Sequence, residues 1–174
     1  MATSSPTTPF GVTKPSAHFT HTEISRTFSR LIGAVSTYIE AERDIEDAAS
    51  WHPAFLHWHR DAETARTQVL TPIDRIRSSA VVRLEDLPLK RMALLLFALI
   101  ESGSSSEFLR LAACLDQPDG LFDCPGTDPV ARRVEAMLTA ARMQVADLTS
   151  LSAFVDPLEI ATANSPDHPV PAAA

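Results

Sequence analysis

Cysteine is scarce in this chain. Only Cys114 and Cys124 occur among 174 residues, too few for a disulfide framework, so both are read as free thiols. They lack C-x-x-C spacing and a neighbouring His, which argues against a structural zinc site. Glycine, at five residues, excludes collagen-like and Gly-rich fibrous classes. Long hydrophobic runs are missing as well. Met92–Ile100 is the longest, far short of the ~20 residues a membrane-spanning helix needs. The amino terminus, MATSSPTTPFGVTKPS, has no basic stretch followed by an apolar one, so a secretory signal is not expected. These absences together predict a cytoplasmic protein that does not engage a membrane.

Lysine is nearly absent too. Lys14 and Lys90 stand against 13 Arg, a bias associated with GC-rich genomes, and the net charge is −7. No segment is strongly basic. A nucleic-acid partner is therefore not expected, because phosphate binding draws its affinity from clustered cations that release counterions. The apolar fraction of 45% is ordinary for a folded domain.

What is present is helical periodicity. Ile24, Phe28, Leu31, Val35, Tyr38, Glu42, Ile45 and Ala49 step alternately by four and three, a 3.5-residue repeat. Trp51, Phe55, Trp58, Ala62, Ala65 and Val69 continue that stepping in a second segment. Ser50 can cap a new helix and Pro53 is tolerated in a first turn, so a tight turn between antiparallel helices is expected there. Ile73, Ile76 and Ala80 keep the phase beyond Pro72, which predicts one helix running through the proline. Helix 1 should span about 20–49 and helix 2 about 52–82.

Asp86 and Pro88 mark the start of a third helix, apolar on all sides from Met92 to Ile100 and so suited to the centre of a bundle. Ser104 and Glu107 form an S-x-x-E capping box that opens a short fourth helix. After a loop rich in Asp, Pro and Gly, Asp128 and Pro129 make a cap and first position for a fifth helix ending at Asp156–Pro157. The expectation is an all-α bundle of about five helices, with a long antiparallel helix 1–helix 2 hairpin and an apolar central helix 3. A single domain over 18–157 would lie between disordered tails, 1–17 and 158–174, which have no apolar period.

Chemistry-bearing residues are few. His52, His59 and Glu63 fall on one flank of helix 2, and His59 and Glu63 are four apart, the spacing that lets two side chains reach one ion. If the hairpin pairs positions summing to about 101, Glu42 on helix 1 faces Trp58 and His59. Glu42, His52, His59 and Glu63 are the candidate metal ligands, resembling in type the His and carboxylate sets of di-iron bundles but without their Glu-x-x-His pairs. The competing account has Glu42 accept a hydrogen bond from the Trp58 indole or His59 and fix the hairpin register. The acidic loop of Asp116, Asp119, Asp123 and Asp128 lacks the alternation of an EF-hand. Ser102–Ser106 has no P-loop lysine, and helix capping accounts for it. No catalytic constellation is found and no cofactor is expected.

Two functional expectations follow. The first is a non-catalytic helical protein–protein interaction or regulatory module, binding a protein partner or a second copy, with homodimerisation through helix 1 or helix 5. Arg75, Arg77, Arg83, Lys90 and Arg91 form a mildly basic strip that could meet an acidic partner, though a solvated face is the better account of them. The alternative is a small metal- or ligand-binding bundle using the His/Glu cluster at the helix 1–helix 2 turn.

Overall fold

Five helices, joined by short connections, pack around one core in the computed structural model, which describes residues 20–46, 52–117 and 120–156. The expected turn residue Ser50 and the expected tails, 1–17 and 158–174, lie outside the described residues. Helices α1 (Glu23–Glu46) and α2 (Phe55–Ser78) form the antiparallel hairpin. Every hydrophobic seam position from Ile24 to Tyr38 is buried, facing Ala65, Val69, Ile73 and Ile76. The register is the one the two repeats imply. The Arg75 Nε donates to Glu23 at 2.5 Å near one end of the hairpin, and Glu42 lies within the field of His59 and Glu63 at the other. Helix α2 runs unbroken through Pro72.

Helix α2 stops at Ser78, short of the expected residue 82. The Ser79 backbone turns extended, and its hydroxyl donates to the Arg75 carbonyl at 2.7 Å. Beyond it, the Asp86 carboxylate draws in the amides of Val82 and Arg83 at 3.3 and 3.2 Å. That contact curls residues 79–85 into a connector rather than a last helical turn.

Helix α3 (Asp86–Ile100) touches all four other helices and buries Leu89, Met92, Leu96 and Leu99 completely. Burial of each such side chain contributes ~1.5–3 kcal/mol. Helix α4 (Ser105–Ala112) continues as a 3₁₀ turn, Ala113–Asp116. Its expected capping box is made on one arm, with the Ser104 hydroxyl accepting from the Glu107 amide at 3.2 Å. The other arm is displaced by one residue, because the Glu107 carboxylate accepts from the Gly103 amide at 3.2 Å instead of from Ser104. Helix α5 (Pro129–Leu148) is capped as expected, Asp128 Oδ1 accepting from Val130 and Ala131 at 2.7 and 2.9 Å. It packs on α1 and α3, and its buried Gln144 donates to the Ile32 carbonyl and the Ser36 hydroxyl of α1 at 2.6 and 2.9 Å.

Helix α5 also ends eight residues before the expected Asp156. Residues after Leu148 fold into successive turns that bring Leu151 and Phe154 back into the core. Phe154 stacks on Phe108 with ring centroids 5.0 Å apart and meets Tyr38 edge-on at 6.2 Å. The segment read as a helical end is thus the plug of the bundle. Among the described residues, no helix is long and apolar enough to cross a membrane.

Candidate functional site

The hairpin seam carries the polar residues singled out by their spacing. Tyr38, one turn before Glu42 on α1, donates its hydroxyl to the Glu42 carboxylate. The donor is therefore a residue of the same helix, not the Trp58 indole or His59, and the bond cannot set the register between helices. Burial raises the Glu42 carboxyl above its ordinary range and Glu63 adds to the shift, while the Tyr38 hydrogen bond and His59 oppose it. Burial, and then the charge of Glu42, likewise push the Tyr38 phenol up.

A raised folded-state value has a definite sign. The native protein holds the Glu42 proton more tightly than the unfolded chain, so this contribution is fully present at low pH. It is lost as pH rises through and past the shifted value. Glu42→Gln keeps an acceptor for Tyr38 and removes the charge. Its thermal midpoint should exceed that of the parent at pH 7, and the two should converge near pH ~4. Parallel scanning calorimetry at both pH values checks this, and a midpoint gap that is the same at both would contradict it.

His52 and His57 are engaged elsewhere. His52 stacks on Trp58 at 5.0 Å, and its Nδ1 accepts from the Ala54 amide at 3.2 Å, helping to start α2. His57 pairs with Asp61 at 3.4 Å on the surface. His59 is exposed and touches the Phe55 ring. Glu42, His59 and Glu63 share one neighbourhood, whereas His52 is engaged with Trp58. No group of three or more His, Cys, Asp or Glu among the described residues is placed to hold a metal ion.

The two thiols sit in different settings. Cys114 lies half-buried in the 3₁₀ turn with its Sγ 3.7 Å from the Arg110 carbonyl. Cys124 packs against the core, where burial and then Glu85, Glu135 and Asp128 push its thiol up to about 11. At pH 8 that leaves a thiolate fraction roughly a hundredfold below that of the unfolded chain. Iodoacetamide should accordingly alkylate native Cys124 about a hundredfold more slowly than in denaturant, as read by mass spectrometry of the 120–131 peptide.

A different feature stands out on the opposite side of the hairpin end, where α2 passes into α3. Val82 is 75% exposed, Leu84 71%, Leu94 42% and Leu121 42%, with Val81 beside them. Leu84, Leu87, Pro88 and Arg91 line one wall of a groove of about 320 Å³, and Gly120, Asp123, Cys124 and Pro125 line the other. Counting about 100° per residue, Leu87, Leu94 and Ala98 fall on one outward line of α3, with Arg91 and Lys90 on its two flanks.

The groove is held by polar contacts from both sides. The Arg91 guanidinium donates to the Leu121 carbonyl at 3.1 Å. From α5, Arg142 reaches the Phe122 carbonyl at 2.8 Å and the Asp123 carboxylate at 3.2 Å, and Glu135 accepts from the Cys124 amide at 3.4 Å. Gly126 adopts φ +115°, a conformation that L side chains rarely reach, which lets the loop turn into α5.

Sequence reasoning missed this surface. It recognised α3 as apolar all round, yet periodicity does not say which side a neighbour leaves open. The one available signal was the aliphatic run Val81, Val82 and Leu84 just past the end of α2, where solvent-facing polar residues would be ordinary. Of the expected basic strip, Arg75 pairs with Glu23, while Arg77 pairs with Asp74 at 3.5 Å and covers the Phe97 ring at 5.5 Å. Arg91 is the member of the strip that lines the groove, while Arg83 and Lys90 reach the Thr20 and Ser79 carbonyls at 3.2 and 2.8 Å.

Compared with known proteins, the chain matches no family model, no curated protein and no solved structure.

Proposed function

We propose that this protein is a non-catalytic interaction module that docks a protein partner through the surface around Leu84. The observation that carries this reading is the groove lined by Leu84, Leu87 and Pro88, with the exposed aliphatic side chains Val81, Val82, Leu94 and Leu121 on the same segments and with Asp86, Arg91 and Arg142 holding those segments in place. Exposed apolar surface of this kind is unfavourable in water, and a patch rimmed by polar groups is the usual mark of a binding surface. A rigid base adds to the argument, because preorganised contacts lose less entropy on binding. A cytoplasmic setting belongs to this reading, supported by two free thiols.

Native mass spectrometry on untagged protein from its own host tests it. The expected spectrum shows a stoichiometric complex, with another chain or a second copy, that Leu84→Asp dissolves. A monomer carrying one metal ion, lost in His59→Ala, would transfer the function to the hairpin seam. A bare monomer, unchanged by Leu84→Asp, would remove the interaction reading.

A further inference from the structure

We propose that one flank of the α1–α2 hairpin holds a site for a small organic monocarboxylate, separate from the docking surface around Leu84. Two lines of residues face each other there. Thr27, Arg30 and Ala34 stand at i, i+3 and i+7 on α1 and share one helical face. Gln68, Thr71, Pro72 and Arg75 do the same at i, i+3, i+4 and i+7 on α2. Because the helices run antiparallel, Thr27 lies toward the Arg75 end and Ala34 toward Gln68. The short side chains of both lines leave a cavity of about 370 Å³ between them, within the ~300–1,000 Å³ common to small-molecule sites.

A nearly buried donor waits in this cavity. Thr27 is 2% exposed, and its hydroxyl has no hydrogen-bond partner among the described residues. Thr37, Thr64, Thr67 and Thr71 each donate to the carbonyl one turn earlier, at 3.3, 2.8, 3.0 and 3.0 Å, and Thr27 does not. Among the described residues, the side-chain oxygen that is both sealed and unbonded is Gln144 Oε1. The Thr27 oxygen is therefore not sealed, and it opens onto the cavity its residue lines. An acceptor placed there would satisfy a hydroxyl that is otherwise left unpaired.

The charge around the cavity leaves room for one anion. No Asp or Glu is among its lining residues, and Arg30 forms no ion pair among the described residues. Glu23, one turn before Thr27, is held by Arg75 at 2.5 Å and by Arg26 at 3.4 Å. Asp74, next to Arg75, pairs with Arg77 at 3.5 Å. Arg30 is thus the uncommitted cation of the site. A single carboxylate matches it, accepting from the guanidinium fork and from the Thr27 hydroxyl one turn away. A second negative charge would find Arg75 already occupied by Glu23. Ala34 and the Pro72 ring make the rest of the wall apolar, and Thr71 has given its proton to the Thr67 carbonyl. A bare inorganic anion would leave that wall in water, whereas a short hydrocarbon body covers it.

Amide NMR on the isotope-labelled full chain, titrated with hexanoate, tests the assignment. Saturable shifts are expected over residues 27–34 and 68–75 at roughly millimolar hexanoate, the strength open to a ligand this small. Hexanamide, which lacks the charge, and inorganic phosphate, which lacks the hydrocarbon, should each bind at least about tenfold more weakly. Arg30→Gln should weaken hexanoate at least about tenfold, and Thr27→Val, which keeps the shape without the hydroxyl, about fivefold. Ala34→Leu should abolish binding by filling the cavity. Unchanged shifts in α3 and α5 certify the fold of each variant. Leu84→Asp should leave hexanoate binding as it is, which keeps this site's failure distinct from that of the docking role.

Hexanamide binding as tightly as hexanoate would overturn the carboxylate assignment. Phosphate doing so would overturn the organic body and name a site for an inorganic anion. The absence of saturable shifts over both stretches, or shifts that survive Arg30→Gln and Ala34→Leu, would overturn the site itself.

Discussion

Phe108→Ala should cost about 3–5 kcal/mol and lower the thermal midpoint by roughly 10–20 °C. Phe108 is fully buried at the start of α4, where it stacks on Phe154, which in turn meets Tyr38 of α1. Helix α4 has only eight residues, too short to persist by its own propensity. Its attachment to the bundle therefore depends on this ring and on the Asp156 amide, which donates to the buried Ser105 hydroxyl at 2.9 Å. Truncation leaves a cavity the size of a phenyl ring between two chain segments that cannot collapse independently. Chemical denaturation gives the free energy, and hydrogen exchange over 105–116 and 149–156 should rise together because one ring joins them. A loss below about 1 kcal/mol would mean that α4 is held by other contacts.

The aromatic plug shows where the sequence ran out of information. The 3.5-residue repeat makes the α1–α2 hairpin legible, since side chains at alternating steps of three and four must share a face. Asp128–Pro129 and Ser104 are legible for a similar reason, because a helix end needs a local acceptor for its first amides. Leu151 and Phe154 carry no such local mark. Their apolar spacing suits a continuing helix, and what stops α5 at Leu148 is the attraction of a hydrophobic pocket made by residues far away in the chain. The seam residues follow the same division. The hairpin register placed Glu42 beside His59 and Glu63, but Tyr38 satisfies it from its own helix, and His52 went to Trp58. The groove around Leu84 depends on Arg91 and Arg142 reaching across 30 and 20 residues, respectively, to the same loop. No periodicity in one dimension encodes which face of α3 that loop leaves uncovered.

Asp86 connects stability to the proposed surface. It is 2% exposed, and its carboxylate accepts from the Thr22 hydroxyl at 2.6 Å as well as from the Val82 and Arg83 amides. Three donors from two segments 60 or more residues apart converge on one buried group. Asp86→Ala leaves all three without an acceptor and should cost about 3 kcal/mol, while Asp86→Asn, which retains one oxygen, should cost about half as much. A double-mutant cycle with Thr22→Val measures the hydroxyl–carboxylate bond alone, and a coupling of at least about 1 kcal/mol is expected. The effect should also be local. Hydrogen exchange at Val82 and Arg83 should accelerate before that of α5, because the connector loses its anchor while the core keeps its packing. Since Val82 and Leu84 ride on this connector, Asp86→Asn should weaken docking of the proposed partner even where the domain remains folded. Uniform acceleration throughout the bundle, or docking that is indifferent to Asp86→Asn, would separate the anchor from the surface and leave Asp86 as a purely structural link between α1 and α3.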